Sequence, residues 1–600
     1  MNNLGARYLE RCEHFLARKM QLEKSSNAIS NLRLATLLSG ILLTVLTYYY
    51  ASKPLSYGLF WVILIFFIFL VVRHDRIIKE INIYNSLAEI NKACQQRITG
   101  DWTHFADDGQ EFIDSKHPYL NDLDIFGHGS LFHWINTANS YHGREFLKDM
   151  LANPLKDVDN IKRRQKAVKE LAVKLDFCQD LQCRGMAGKD ISNNPENLII
   201  YAESNSSLFP SHLLNYLLYI LPGITIVSFG LYQFFGYSLY IPLGSLLLQI
   251  IINIAGSFKV TRIIASLYSH KNKIEVYQKM LEVIEKEEFD DEYLLDLQAV
   301  LFHNAKAASR QIKILDNMVG ALSIRTNPFI HVIINNILFW DFHWVLALER
   351  WQKTSGRSFR GWILAIGNFE ALCSLALVAQ LNPQWSYPTF YLNELLIKTT
   401  DMGHPLINYK ARVVNDFAID NQICIVTGSN MSGKTTLLRT IGINLVLAYA
   451  GAAVCAKDFK CSILDIYTSM RVTDDLNAGI STFYAELLRI KMIIEHSQKK
   501  QPMLFLIDEV FRGTNSRDRV VGARNVLMNL NKSWILGLIS THDFELCDFE
   551  NDNSGRIINM HFTETYSHGE IAFDYQLKPG RCQTANARYL MKMVGIEIED

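Results

Sequence analysis

The sequence predicts a multidomain α and α/β protein that contains transmembrane helix hairpins. Three observations predict this class. Uncharged apolar runs occur in two pairs, at 34–72 and within 204–258. Apolar residues recur at three- and four-residue steps after the second pair, as they do in amphipathic helices. From about residue 400, short apolar runs alternate with helical stretches, which is the pattern of a parallel sheet with crossover helices.

Composition sets the outer limits. The 600 residues are 49% apolar and 20% charged, which excludes a disordered chain because disorder requires low hydrophobicity. Sixty Lys and Arg balance sixty Asp and Glu, so the chain is not a globally basic nucleic-acid binder. A local basic patch is still compatible with this balance. The ten cysteines form no C-x-x-C pair, and we expect the reduced thiols of a cytosolic or membrane-facing protein. At about 150 residues per domain, the length allows roughly four structural units.

The N-terminal region, residues 1–100, is predicted to contain a transmembrane hairpin at about 34–52 and 54–72. Each run has 19 residues without Asp, Glu, Lys or Arg. At about 1.5 Å per residue, a helix of that length crosses a hydrocarbon core of about 30 Å. Aromatic side chains cluster near the turn, where an interfacial belt would lie: Tyr48, Tyr49, Tyr50, Tyr57 and Trp61.

Residues 204–258 are predicted to form a second transmembrane hairpin, with spans at about 213–235 and 238–257 divided near Gly236. The stretch carries no charge apart from a possible one on His212. The alternative is a buried hairpin in a soluble core, but a soluble helix of this length should show a polar stripe. Lys and Arg concentrate outside the paired spans, so the positive-inside rule predicts that both hairpins enter from and return to the cytoplasm. We therefore expect a multi-pass inner-membrane protein whose other domains face the cytoplasm.

The segments beside the second hairpin are predicted to be helical, with residues 101–203 before it and 259–390 after it. Apolar residues at helical spacing, such as Ile274, Tyr277 and Leu281, predict long helices over the second segment. The best basic cluster of the chain, for which the alternative is a solvated helix face, is Lys162, Arg163, Arg164 and Lys166.

A phosphate-binding loop is predicted within residues 391–575. The apolar strand 423–427 is followed by Gly-Ser-Asn-Met-Ser-Gly-Lys-Thr-Thr and then by a helix, which is G-x4-G-K-T in the strand–loop–helix setting that this motif requires. Glycines let backbone N–H groups approach phosphate oxygens, and the helix N-terminus adds partial positive charge. The expected phosphate-binding residues are Gly428, Ser429, Asn430, Met431, Ser432, Gly433, Lys434, Thr435 and Thr436. Lys434 is expected to reach the β- and γ-phosphates of ATP, and the Thr435 hydroxyl is expected to bind Mg²⁺.

Two carboxylates at the end of another apolar strand are the predicted partners of this loop. Residues 504–507 lead directly into Asp508 and Glu509. We expect Asp508 to lie near the Mg²⁺, and Glu509 to act as general base toward the attacking water. His542 follows a third strand at 534–540, so it is expected at the same edge of the sheet, close to the γ-phosphate. The alternative for the Asp-Glu pair is a solvated turn.

These motifs resemble the ATPase of the MutS mismatch-repair family. The resemblance is carried by the phosphate loop 428–436, by Asp-Glu-Val-Phe-Arg-Gly-Thr-Asn at 508–515, by Thr-His-Asp-Phe-Glu-Leu at 541–546, and by 474–476 and 479–483 between the phosphate motifs. Upstream, residues 129–132, 136–137, 143–144, 153–155 and 164–168 are similar to the start of the family's helical core domain. Together the similar stretches cover about 115–200 and 360–596.

The resemblance implies a head-to-tail homodimer of ATPases. Thr514 and Asn515 would then approach the γ-phosphate bound by the other subunit, and residues 576–600 would supply dimerising helices. Asn515 stands where the family has Ser, and Phe511 stands where it has Gly. Arg412 occupies the position of an aromatic that stacks on adenine in the family, and a guanidinium plane can also stack.

The resemblance also implies DNA as a ligand, and here the sequence departs from the family. Residues 1–100 hold a membrane hairpin in place of the mismatch-reading and connector domains. Over 401–600, 21 Lys and Arg face 23 Asp and Glu, so the excess positive charge on which DNA affinity depends is missing.

A membrane-anchored ATPase that closes as a dimer around mismatched or structured DNA is the first hypothesis. A mechanochemical or signalling ATPase that acts on a protein or membrane partner is the second. A transporter ranks last, because the spans carry no charged residues for a pathway.

Overall fold

The protein forms two compact units in the computed structural model. The structure describes residues 2–188, 191–204, 212–268, 270–303, 306–471, 482–511, 516–552, 555–567 and 570–582. Unit 1 contains Met1–Asn136, Leu147–Val173 and Leu372–Asp600, and unit 2 contains Thr137–Phe146 and Lys174–Ala371. The predicted domains follow one another along the chain, whereas these units interleave in sequence.

Unit 1 begins with two very long helices, α1 (Asn2–Tyr50) and α2 (Lys53–Thr99). The predicted apolar spans lie within them, but both helices continue far beyond those spans, which the sequence analysis did not predict. In the apolar half the helices pack closely at Gly40, where a Cβ atom would lie 2.6 Å from Ile63 Cγ2. In the other half polar pairs join them, such as Lys19 Nζ and Asn85 Oδ1 at 2.8 Å. The hairpin is therefore one continuous antiparallel pair with an apolar end and a polar end.

Helices dominate the middle of the chain. In order they are α3 (Leu131–Ile135), α4 (Tyr141–Ala152), α5 (Val158–Val173), α6 (Leu175–Met186), α7 (Glu196–Glu203), α8 (His212–Phe235), α9 (Tyr240–Tyr268), α10 (Lys271–Lys286) and α11 (Glu292–Ala299). A small hairpin, β1 (Phe302–His303) and β2 (Lys306–Ala307), precedes α12 (Ala308–Ala321), α13 (Pro328–Leu338), α14 (Trp340–Trp351) and α15 (Arg357–Leu381). The turn between α8 and α9 contains Gly236.

The prediction of long helices throughout 259–390 was wrong for residues 271–338. Four helices of 8 to 16 residues occupy 271–338, and only 340–381 forms a continuous helical run, with a π-turn at Gln352–Gly356. The break has a local cause. Asn327 caps α13 through its side chain, and Phe339 ends that helix with a left-handed backbone (φ 51°).

Five helical stretches among the described residues are long and apolar enough to cross a membrane. They are Leu4–Tyr50, Lys53–Thr99, Tyr216–Phe235, Tyr240–Arg262 and Trp340–Leu381. In the first four, at most 22% of the most apolar part is buried by protein, whereas in the fifth 83% is buried. The fifth stretch is thus a core helix, and the other four present their apolar side chains outward.

The C-terminal part of unit 1 contains two main sheets. Its elements are β3 (Thr389–Tyr391), β4 (Leu396–Met402), β5 (Asn415–Asp420), β6 (Ile423–Thr427), α16 (Lys434–Ala450), β7 (Asp458–Ser462), β8 (Asp465–Ser469), α17 (Thr482–Ser497), β9 (Met503–Asp508), α18 (Ser516–Leu530), β10 (Ile535–Thr541), α19 (Phe549–Asp552), β11 (Ile557–His561), β12 (Glu564–Ser567), β13 (Glu570–Phe573) and β14 (Lys578–Pro579). The larger sheet has the order β14-β11-β6-β10-β9-β8, and β12 pairs with β13 in a separate hairpin. The predicted strands at 423–427, 504–507 and 534–540 are confirmed, with small shifts of their ends, as β6, β9 and β10.

The larger sheet is not wholly parallel, which corrects the prediction. Its first five strands in chain order are parallel, and the edge strand β14 pairs antiparallel with β11. A second sheet, β3-β7-β4-β5, is largely antiparallel and was not predicted. Alternating burial along β5 explains why, since a strand with one open face lacks the continuous apolar run of a buried parallel strand. The fully buried strands β6, β9 and β10 form the centre that carries the site.

Candidate active site

Three parallel strands bring the predicted residues to one edge of the larger sheet. Thr427 at the end of β6 is aligned with Thr541 of β10, and Ser540 is aligned with Asp508 of β9. The residues that directly follow these strands are therefore neighbours in space. This carboxyl edge is where open α/β sheets bind ligands.

The phosphate loop requires its glycines. Gly428 has φ 151° and Gly433 has φ 110°, conformations that residues with a Cβ atom rarely adopt. A Cβ atom at Gly428 would also lie 2.7 Å from the Ser432 hydroxyl and 3.1 Å from the Phe562 carbonyl oxygen. Helix α16 begins directly after Gly433, so its first backbone N–H groups point toward the loop. The loop is thus a compact turn whose interior consists of backbone and small side chains.

Lys434 lies under this loop and is 5% exposed. Its ammonium donates hydrogen bonds to the carbonyl oxygens of Gly428 and Ser429, each at 2.9 Å. His542 Nε2 lies 3.3 Å from the same nitrogen. Two carbonyl oxygens of the loop therefore hold the Lys434 ammonium at the position where phosphate is expected to bind.

The predicted magnesium ligands contact each other. The Thr435 hydroxyl donates to Asp508 Oδ2 at 2.8 Å, and the Ser540 hydroxyl donates to the other carboxylate oxygen of Asp508. Asp508 is 6% exposed. A hydroxyl and a carboxylate are hard oxygen donors, which Mg²⁺ prefers, so these two residues fit the proposed ion.

Glu509 and His542 contact each other in the same cluster, with Glu509 Oε1 2.8 Å from His542 Nε2. Glu509 has a left-handed backbone (φ 58°), and its N–H donates to the Ser540 carbonyl at 3.1 Å. The loop that carries His542 is fixed by Arg519, whose guanidinium donates two hydrogen bonds of 2.7 Å to Asp543. The carboxylate predicted as general base and the predicted histidine thus lie within hydrogen-bonding distance.

A cavity of about 760 Å³ opens beside these groups. Its lining includes the phosphate loop, Asp508 and Glu509, together with His404, Val413, Phe562 and Tyr575. The Tyr575 ring lies against the loop, since a Cβ atom at Gly433 would be 3.3 Å from Tyr575 Cδ1. The cavity is therefore lined both by polar groups and by aromatic rings, a combination that suits a nucleotide.

His404 stays neutral in the wall of this cavity. Its pKa is lowered from 6.5 to about 3, first because the ring is largely enclosed by protein and then because Arg439 and Arg412 add positive charge nearby. Its Nδ1 accepts a hydrogen bond from the Leu406 N–H at 3.3 Å. A neutral His404 ring therefore adds no charge to the cavity wall.

Arg412 does not line the cavity, which corrects the expectation that its guanidinium stacks on adenine. Its Nη2 donates to the carbonyl oxygens of Ile407 at 2.7 Å and Pro405 at 3.1 Å. The guanidinium also lies over the Trp385 ring, 5.2 Å from its centroid. These contacts hold the side chain away from the cavity, and Tyr575 provides an aromatic face there instead.

The motif around Phe511 keeps a glycine-like backbone. Phe511 has φ 60°, a left-handed conformation that favours glycine over residues with a side chain. Its N–H donates to the buried Glu486 carboxylate, and its ring packs on Gly522. The predicted trans-acting residues Thr514 and Asn515, the stretch 474–481 and the tail from 583 lie outside the described residues.

Sequence reasoning missed several contributors to the site. Ser540 could have been found, because it immediately precedes the Thr-His pair at a strand end. Glu564 accepts a hydrogen bond from the Ser429 hydroxyl, and both Glu564 and Tyr575 lie far along the chain from the phosphate loop. No local pattern marks these two residues.

The fold and the site define the class, a multidomain α and α/β protein whose C-terminal sheet carries a phosphate-loop sequence at its carboxyl edge. Residues 424–597 match MutS domain V. Similar proteins are the DNA mismatch repair protein MutS of Lysinibacillus sphaericus, 33% identical over 224 residues, and that of Thermus thermophilus, 32% identical over 256 residues. The C-terminal part of the chain is thus similar to the corresponding part of MutS proteins.

The similarity is confined to part of each protein. The two alignments cover 36% and 42% of this chain, and they span 26% and 30% of the relatives' own lengths. Alignment with MutS of a Roseiflexus species, 32% identical, covers 39% of this chain and spans 22% of that protein.

Proposed function

We propose that this protein binds and hydrolyses ATP in the cavity described above while it is anchored in a membrane. The observation that carries the ATPase proposal is the convergence of Lys434, Thr435, Asp508, Glu509 and His542 at one sheet edge. A lysine, a hydroxyl paired with a carboxylate, and a second carboxylate beside a histidine are the groups that phosphoryl transfer to water uses.

Binding in this proposal depends on exchange of partners at Lys434. The ammonium leaves the two loop carbonyl oxygens and pairs with the β- and γ-phosphates, and the N–H groups at the start of α16 bind further phosphate oxygens. Thr435 and Asp508 would hold Mg²⁺, which neutralises phosphate charge when it is bound. The adenine ring would lie against the aromatic side chains that line the cavity, Tyr575 and Phe562.

Hydrolysis in this proposal uses Glu509 as the general base. The water oxygen bonds to the γ-phosphorus, a water proton passes to the Glu509 carboxylate, and the bond between the γ-phosphorus and the bridging oxygen breaks. ADP leaves with that oxygen, and the γ-group leaves as inorganic phosphate. His542 lies 2.8 Å from Glu509 and orients this carboxylate.

The membrane anchor is proposed to be the two hairpins α1–α2 and α8–α9. Their outward apolar surfaces support this proposal, as do the polar contacts that each hairpin makes internally. Thr225 and Ser245 join their hydroxyls at 2.5 Å between α8 and α9, and the Ser56 hydroxyl donates to the Thr44 carbonyl between α1 and α2. Hydrogen bonds from Ser and Thr hydroxyls across helices are typical of helix pairs in lipid. The ATPase region would then lie on the cytoplasmic side.

DNA is the first candidate ligand, bound by a homodimer whose composite sites include Thr514 and Asn515 of the opposite subunit. Its support is that the relatives are named DNA mismatch repair proteins. A protein or membrane partner is the second candidate. The balanced charge of residues 401–600 favours it, because DNA affinity rests on excess positive charge.

The proposal is tested with the full chain in lipid nanodiscs. Mg²⁺-dependent phosphate release is expected, and its absence in the wild-type protein would overturn the ATPase proposal. Homoduplex, mismatched and branched DNA are then titrated at increasing salt. Because phosphate contacts are strongest at low salt, failure to bind any of them at about 50 mM salt would exclude DNA and leave the second candidate.

A further inference from the structure

Helix α13, Pro328–Leu338, exposes an apolar surface beside the second hairpin. It contains no Asp, Glu, Lys or Arg, and none of its residues is buried by protein. Its large exposed side chains are Phe329 (83% exposed), Ile330 (46%), Val332 (55%), Ile333 (60%) and Leu338 (36%). A contiguous apolar surface of this kind is unfavourable in water and requires a cover.

The apolar surface of α13 continues the surface of the hairpin. Helix α13 packs against both α8 and α9. The Asn253 side chain of α9 donates to the Asn335 carbonyl at 3.0 Å and to Asn336 Oδ1 at 3.1 Å, so the polar groups face each other. Next to Asn253 on α9, Ile254 is 69% exposed. The medium that covers the exposed side chains of α9 near Ile254 therefore also covers the apolar face of α13.

The charged groups close to α13 are paired with one another. Asp341 is 2% exposed, and its Oδ2 lies 2.8 Å from Arg325 Nη2 and 2.9 Å from His331 Nε2. His331 is the one titratable residue of the helix, and its ring is directed to this carboxylate. The outer face of α13 is consequently free of charge, which a lipid tail requires.

We propose that α13 is inserted into the membrane, where it lies in the leaflet nearer the C-terminal end of α9 and is covered by lipid. Its 11 residues extend about 16 Å, roughly half of a hydrocarbon core, so it enters the bilayer without crossing it. The apolar surface of α13 is continuous with that of α9. The lipid that covers α9 in the proposed hairpin would therefore cover α13 as well. This inference rests on one part of the proposed function, the assignment of α8–α9 as a membrane hairpin.

The test places a polarity-sensitive fluorophore on single introduced cysteines in nanodiscs that contain lipids with a nitroxide on the acyl chain. All ten native cysteines are buried, so the exposed sites label selectively, and unlabelled wild-type protein sets the background. The variants are Phe329→Cys and Ile333→Cys on α13, Ile254→Cys on α9, and Val173→Cys, 82% exposed in unit 1, as a control in water. Retained ATP binding checks that each variant is folded.

We expect several-fold stronger quenching by lipid nitroxides at positions 254, 329 and 333 than at 173, with the opposite order for iodide in the aqueous phase. Quenching at 254 without quenching at 329 and 333 would overturn the inference and leave the membrane hairpin intact. Protection of 329 and 333 from both quenchers would also overturn it, because a protein would then cover α13. Iodide access at 254 would show that the hairpin itself lies outside the bilayer, and the membrane anchor would fail with it.

Discussion

The Asn408 side chain donates a hydrogen bond from Nδ2 to the backbone carbonyl oxygen of Thr99, with an N···O distance of 2.6 Å. Thr99 is the last residue of α2, the long helix whose other end is the proposed membrane span. Asn408 lies in the segment between His404 and Val413, which forms part of the cavity wall. Gly100 makes this contact possible, since a Cβ atom there would lie 2.7 Å from Asn408 Nδ2. The end of α2 is thus bonded directly to the wall of the candidate nucleotide site.

Replacement of this amide should weaken nucleotide binding. Asn408→Ala removes the hydrogen bond to the Thr99 carbonyl oxygen and leaves the cavity wall less ordered. ATP binding must then order this wall, which weakens the affinity. We expect about a 3- to 10-fold rise in the Kd for ATP, consistent with loss of about one hydrogen bond. Equilibrium binding of a fluorescent ATP analogue measures the change. Asn529→Ala, which removes a surface amide on α18, serves as the control, and an equal loss in both variants would contradict this role.

Removal of the loop lysine should have a much larger effect. Lys434→Ala leaves the β- and γ-phosphates without their buried cationic partner, and charge-assisted contacts of this kind are strong. We expect the Kd for ATP to rise by on the order of 100-fold. Lys460→Ala, an exposed lysine on β7, should bind as the wild-type protein does. Unchanged affinity in Lys434→Ala would mean that phosphate binds elsewhere.

Glu509→Gln should separate binding from hydrolysis. The amide keeps the size of the side chain but cannot accept the water proton, and general bases contribute about 100- to 10,000-fold. We expect kcat to fall within that range while ATP affinity changes little. Steady-state phosphate release and nucleotide binding are measured on the same preparation. Glu495→Gln on the exposed face of α17 is the control, and normal turnover in Glu509→Gln would place the base elsewhere.

His404 should make the protein acid-sensitive. Its pKa is about 3 in the folded protein, whereas in the unfolded chain it is near 6.5. Below pH 6.5 the unfolded chain binds a proton that the folded protein does not, so stability falls as the pH decreases from 6.5 toward 3. His404→Asn keeps an acceptor for the Leu406 N–H and removes this titration.

The melting temperature of His404→Asn should therefore decline less between about pH 6.5 and about pH 4 than that of the wild-type protein. His104→Asn, at an exposed position, should follow the wild-type curve. Parallel curves for all three proteins would show that His404 is not the titrating group.

Features of the protein that depend on near neighbours along the chain could be predicted from the amino-acid sequence. The strand, loop and helix around Gly428 and Lys434 could be read directly, because an apolar run, two glycines and a helix start are local features. The positions of Asp508 and His542 followed from strand ends in the same way, since parallel strands share one carboxyl edge. The four apolar spans were visible because a membrane-length run without charge needs no tertiary contact.

The distant residues that complete the site could not be predicted, because they depend on contacts between elements that are far apart in the chain. Tyr575 reaches the loop because a late segment returns to it, and Arg412 is drawn away from the cavity by Trp385 and by two carbonyl oxygens. The apolar face of α13 can likewise be interpreted only from its position beside α9, where the Asn253 side chain is hydrogen-bonded to α13. Local sequence encodes the energy of forming each element, but the contacts between elements depend on strand order, register and packing, which no single segment specifies.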